Sequence, residues 1–232
     1  VRGSGQRGAY PDSIDVGIDL GTTNSAIAVV EDGTVSVVKN NDGWDSTPSA
    51  IWLPKPDTIH VGRRARSRVG FDPDNAAAEF KQEMGLADAR KEFVSAGRPL
   101  TPQELSAEVL KSLRADAAHH CGAAPESAVI TVPAAFTLNE NKATTEAAEL
   151  AGFGPSCPLV QEPTAAAFAY GFHDSSDRGY WMVFDFGGGM GYLARGGDGS
   201  LTAFTLATAD QAQGPFPDAA RNRTVTLLVV PK

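Results

Sequence analysis

Cysteine is nearly missing from this chain. Cys121 and Cys157 are the only two in 232 residues, and they lack the CxxC spacing of a zinc site or a redox pair. A disulfide scaffold and a thiolate metal centre are therefore both excluded. Positive charge is also scarce. Twenty Lys and Arg stand against 28 Asp and Glu, giving a net charge of −8 and a pI near 5.0. Such a balance disfavours broad binding to nucleic acid or to an anionic membrane, so any phosphate site has to be local. No run approaches the roughly eighteen consecutive apolar residues of a membrane span, and the Gly-rich, polar residues 1–13 have no apolar centre of a signal peptide. The expectation is a soluble cytoplasmic protein. Apolar residues make up 42% of the chain, enough for one large domain or two modest ones.

What the chain does contain is an echo. Ile18-Asp19-Leu20-Gly21-Thr22-Thr23-Asn24-Ser25 returns in outline as Phe184-Asp185-Phe186-Gly187-Gly188-Gly189. In each, a β-type run ends in Asp, an apolar residue and Gly. A tight turn of small residues presents successive backbone N–H groups to an anion, and the Asp offers oxygen to a hard cation such as Mg2+. Aligning the two Asp residues also aligns Asp32-Gly33 with Asp198-Gly199, a strong hairpin signal. Each half thus reads as strand, phosphate clasp, strand, hairpin turn, strand, the pattern left by a duplication.

Between the echoes, strands and helices alternate, which implies an α/β layer fold. Residues 14–20, 26–30 and 35–38 read as a β-meander. Residues 40–70 are rich in Pro, Gly, Asp and Trp and read as an irregular insertion with one short strand at 50–53. Thr101-Pro102-Gln103-Glu104 is a capping box, followed by Leu105, Val109 and Leu113 at helical spacing and a stop at Gly122. A strand at 128–132 precedes a second capping box, Thr137-Leu138-Asn139-Glu140, for a helix reaching Leu150 with Gly152 as its stop. A short strand at 159–161 leads into a helix opened by Glu162-Pro163-Thr164 and running to Gly171. Arg63, Arg64, Arg66 and Arg68 read as a solvated helical face, His119-His120 as a complement to a helix dipole, and Trp44, Trp52 and Trp181 as packing residues.

Four segments, in order, resemble the nucleotide-binding domain of the seventy-kilodalton heat-shock chaperones, the DnaK-type family of actin-like ATPases. They are Asp19 to Ser25, Val129-Ile130-Thr131-Val132-Pro133-Ala134-Ala135-Phe136, Glu162-Pro163-Thr164-Ala165-Ala166-Ala167, and Asp185 to Gly189. Thr47-Pro48-Ser49 and Val61-Gly62-Arg63-Arg64-Ala65 look like the family's first-lobe insertion. The resemblance implies an actin-like ATPase (ribonuclease H-like) fold. Residues 14–179 would be the first lobe, with an insertion at about 40–124, and 180–210 the start of the second; a leader at 1–13 and an atypical tail at 211–232 flank them. It implies ATP and ADP with Mg2+ as cofactors, hydrolysis of ATP, and co-chaperones and unfolded peptides as partners. Gly21, Thr22, Thr23 and Asn24 would cradle phosphates together with Gly187, Gly188 and Gly189. Asp19 and Asp185 would hold hydrated Mg2+. Lys81 matches the lysine that faces the terminal phosphate and the attacking water, Glu162 a carboxylate that helps organise the metal's water shell, and Pro133 a proline that relays nucleotide state.

Three positions depart from the pattern. A Thr that touches the terminal phosphate and an Asp near the metal are replaced by Met190 and Tyr192, and an Arg eight residues after Pro133 by Asn141. Neither Met nor Tyr replaces a phosphate donor or a hard-metal carboxylate. The chain also reads as stopping early in the second lobe, which implies weakened turnover. Two other readings stay open at this point. One is a sugar or metabolite kinase lobe of the same superfamily; the other is a non-enzymatic remnant serving as a protein-interaction module.

Overall fold

The computed structural model describes residues 15–169 and three strands at 181–187, 190–197 and 200–208. Among the readings above, the leader, the tail at 211–232, the helix end at Gly171 and the Asp198-Gly199 turn lie outside these residues. So do Gly188, Gly189 and the side chain of Trp181.

The first meander consists of β1 (Val16–Asp19), β2 (Asn24–Glu31) and β3 (Thr34–Val37), all antiparallel. Asp32 (φ 50°) and Gly33 (φ 75°) both take the left-handed conformation that a two-residue hairpin turn needs, and they join the paired Glu31 and Thr34. Residues 40–70, expected to be irregular, are ordered instead. β4 (Thr47–Pro48) pairs with the start of β2. β5 (Ala50–Lys55), β6 (Thr58–Val61) and, after the short helix α1 (Arg63–Arg66), β7 (Ala76–Ala78) form a second antiparallel sheet in the order β6-β5-β7. The strands are short, and Pro54 falls where the β5–β6 register shifts between Trp52 and Lys55. A proline at a bulge costs no ladder hydrogen bond but erases the alternation that marks a strand. A hairpin of β8 (Lys91–Phe93) and β9 (Arg98–Leu100) follows.

Helix α2 (Pro102–Cys121) starts at the expected capping box. Thr101 Oγ1 accepts from the Glu104 N–H at 3.2 Å, and Glu104 returns to the Thr101 N–H at 2.7 Å. β10 (Val129–Val132), α3 (Leu138–Leu150) and β11 (Leu159–Gln161) form a β-α-β unit, and α4 (Glu162–Ala169) follows directly. β10 lies parallel to β1 and β11 parallel to β10, giving the sheet order β11-β10-β1-β2-β3. Ile18, Leu20, Ile27, Val29 and Ile130 pack in one core with Leu105, Val109, Leu110 and Leu113 of α2 and Ala143 and Ala147 of α3. Among the described residues no helix is long and apolar enough to cross a membrane.

The second meander is β12 (Trp181–Gly187), β13 (Met190–Gly197) and β14 (Ser200–Thr208). Its register repeats that of the first. Asp19 pairs with Ala26 and Asp185 with Tyr192; Ile18 pairs with Ile27 and Phe184 with Leu193. Glu31 pairs with Thr34, and Gly197 with Ser200. One constant offset relates every residue in the first set to its counterpart in the second.

Candidate functional site

The first clasp follows directly from how the chain leaves β1. Leu20 is buried in the core, and the chain then turns so sharply at Gly21 that a Cβ there would lie 2.1 Å from the Asn24 carbonyl oxygen. Only glycine fits. The turn is held from beneath by two buried serines. The Gly21 N–H donates to Ser25 Oγ at 3.2 Å, the Ser49 hydroxyl donates to the Gly21 carbonyl at 2.7 Å, and the two hydroxyl oxygens lie 2.9 Å apart. Each serine has one proton to give, so with Ser49 donating to Gly21, Ser25 must donate to Ser49. The Ser49 N–H also donates to the Thr23 carbonyl at 2.9 Å. Both peptide groups of the clasp are thereby fixed from the protein side. Thr22 and Thr23 are half-buried on this turn, and Asn24 is exposed where β2 begins.

Asp19, Pro133 and Glu162 stand at the C-terminal ends of the three adjacent parallel strands β1, β10 and β11. In open α/β sheets that edge is where ligands bind, because the loops leaving the strands diverge there. Register puts Asp19 opposite Thr131, whose hydroxyl donates to Asp19 Oδ1 at 3.0 Å, and the carboxylate is exposed.

Lys81 reaches the same edge from the second sheet. Glu79 has φ 62°, a left-handed conformation unusual for a side-chain-bearing residue, and it opens a 3-10 turn over Phe80–Glu83. Gly85 (φ 76°) then passes so close to the start of α3 that a Cβ would lie 2.9 Å from the Glu140 nitrogen. The turn is thus clamped at both ends, with Lys81 3% exposed between them. Its ammonium lies 5.4 Å from the Phe136 ring centre and donates to Glu162 Oε1 at 2.8 Å. A lysine is almost never this buried without a partner, and here the partner is 81 positions away in sequence.

The structure therefore brings Lys81 and Glu162 into contact and sets them along the edge that carries Asp19. In the second clasp, Asp185 pairs in register with Tyr192, and Gly187 with Met190. The side chains of that clasp, and hence any approach of Asp185 to Asp19, lie outside the described residues. Sequence reasoning overlooked the parts that position the site. Thr131 was legible once β10 was set parallel to β1. The Ser25–Ser49 pair and the clamping role of Gly85 depend on contacts between distant segments, for which the sequence has no local sign. Asn141, where the expected pattern has Arg, leaves its buried side-chain oxygen without a hydrogen bond among the described residues.

The model of the family described as Hsp70 protein matches residues 15–192. The matched span takes in Asp19, Lys81 and Glu162, and it ends just after the second clasp. Members of that family are ATPases that bind ATP and ADP with Mg2+, and their fold is the actin-like one. On the strength of this match over most of its length, the chain belongs to the Hsp70 family.

Proposed function

We propose that this chain is the nucleotide-binding part of a DnaK-type chaperone. In this reading it takes Mg2+ with ATP or ADP at the C-terminal edge of β1, β10 and β11, and its hydrolysis is slowed by Met190 and Tyr192. The observation that carries the reading is the Lys81–Glu162 pair, 2.8 Å apart with side chains 4% and 18% exposed. Burying an ion pair is a weak way to gain stability, so its place on the sheet edge that carries Asp19 points to chemistry.

The residues present fit a magnesium-bound nucleotide. The Gly21 turn leaves no room for a side chain, as a cradle for backbone approach requires. Asp19 offers hard oxygen at an exposed position. A bound Mg2+ would neutralise charge on the phosphate oxygens. The chain's own contribution is positional. The Gly21 N–H is taken by Ser25, and the peptide joining Gly21 to Thr22, held at its carbonyl by Ser49, supplies the fixed N–H dipole at Thr22, so little reorganisation accompanies charge development. Glu162 aims the Lys81 ammonium and leaves it further N–H donors for a phosphoryl oxygen or a water. Nucleotide is the direct partner at this site; co-chaperones and unfolded peptides are the partners that the reading adds.

Calorimetric titration of the purified chain with Mg2+-ADP tests this without requiring turnover. Saturable micromolar binding that disappears in Asp19→Ala is the expected result. Absence of heat from a folded sample overturns the reading.

A further inference from the structure

The second sheet carries a surface unlike the rest of this acidic chain. Residues 58–71 contain four arginines and no acidic residue, and Arg63, Arg64, Arg66 and Arg68 are all exposed. They were expected to form a plain solvated face, and Trp44 and Trp52 to be packing residues. Instead the two sets meet. The Arg63 guanidinium lies 4.2 Å from the centre of a Trp44 ring that is itself 52% exposed. The Arg68 and Arg64 guanidinium groups lie 4.9 and 5.6 Å from the Trp52 ring centre. Trp52 also stacks on His60 at 5.1 Å and donates its indole N–H to Asp72 at 2.8 Å.

Both indoles are held in place. The loop bearing Trp44 is knotted around Asn40, whose side-chain oxygen accepts from the N–H groups of Asp42 and Trp44. Ala65, fully buried, pins α1 against the sheet beneath. Stacking orients a guanidinium while leaving its N–H edge open for paired oxygens. Among the described residues, Arg63, Arg64 and Arg68 make no ion pair within 4.0 Å, and Arg66 reaches Glu79 only at 4.0 Å. Burial and then the nearby Arg64 lower the His60 pKa, which disfavours a further positive charge there.

We propose that this arginine–tryptophan surface docks an acidic, aromatic-bearing peptide segment of a partner protein. Preset guanidinium edges suit carboxylate pairs, and the exposed Trp44 ring gives an apolar residue between them something to pack on. A polyphosphate or a lipid surface fits less well, since a long anionic polymer or sheet would also meet the field of a chain at −8. None of these residues belongs to the proposed nucleotide site, so the inference does not depend on the proposed function.

The test is fluorescence anisotropy of a fluorescein-labelled short peptide in which glutamate pairs alternate with single phenylalanines, titrated with the full chain. A single-stranded RNA of similar length and vesicles rich in phosphatidylserine serve as separate arms. The expected result is saturable peptide binding that weakens with salt and falls at least about tenfold in an Arg63→Ala, Arg68→Ala double variant whose circular dichroism is unchanged. The corresponding double lysine variant should recover only part of the affinity, because it keeps charge but loses the planar fork. Lysine variants that bind as tightly as the parent, tighter binding of RNA or vesicles than of peptide, or no peptide binding at all would each overturn the proposal.

Discussion

Gly21 and Ser49 show two ways in which one residue governs the clasp. At Gly21 the constraint is steric. Gly21→Ala would force a Cβ against the Asn24 carbonyl oxygen, and the only relief is to open the turn. Loss of measurable Mg2+-ADP binding by calorimetry is expected, with the melting temperature lowered modestly because the turn lies at the sheet's edge. At Ser49 the constraint is a hydrogen-bond chain. Ser49→Ala removes the donor to the Gly21 carbonyl and leaves Ser25 without its acceptor, in a site where both hydroxyls are nearly fully buried. A stability loss of about 1–3 kcal/mol in urea denaturation is expected, with weaker nucleotide binding alongside. The sequence displays the first constraint openly, since Gly after Asp and an apolar residue already suggests a phosphate turn. It hides the second, because Ser49 acts across a fold that only β2–β4 pairing brings together.

Among the elements, the helices were the most legible, because their signals are local. Glu104 and Glu140 each return to the N–H three residues before them, as the two capping boxes predict. Of the second sheet only the strand at 50–53 was legible, as the start of β5; its other strands are short and their punctuating prolines and glycines resemble loop composition. The Lys81–Glu162 pair joins that sheet's last turn to the start of α4. A double-mutant cycle with Lys81→Met and Glu162→Gln should give a coupling of about 1–3 kcal/mol in stability, with the double variant less destabilised than the sum of the two single ones.

Helix α2 carries a further test in Asp116, which is 4% exposed and whose carboxylate oxygens make no hydrogen bond within 3.5 Å among the described residues. Burial pushes its pKa from 3.8 up to about 6. The nearby Asn41 N–H offsets this only in part, Asp42 pushes the same way as burial, and His119 pulls back. Between those values the folded chain holds a proton that the unfolded chain has released, so stability falls as pH rises through the window and stays lower above it. Asp116→Asn should therefore raise stability above pH 7 by about 1–3 kcal/mol and flatten the decline between pH 4 and pH 7, as urea denaturation across that range would show.

At the scale of the whole molecule, the repeated meander was legible from two Asp residues and two Asp-Gly turns, since hairpin length and register are coupled. Divergence between the copies falls at single positions within that register. Tyr192 stands where Ala26 stands in the first copy, and Met190 opens β13 as Asn24 opens β2. If Met190 and Tyr192 hold back hydrolysis, then Met190→Thr with Tyr192→Asp should raise phosphate release at saturating ATP by about tenfold or more, which a coupled phosphate assay would show. The shared register also bears on descent. A one-residue insertion within a paired strand of either meander, unless absorbed by a bulge such as the one opposite Gly191 and Tyr192, would have turned the side chains that follow to the opposite face. The two copies have therefore drifted apart by exchange of side chains alone, and a segment cut from one meander should splice into the other without a frame correction.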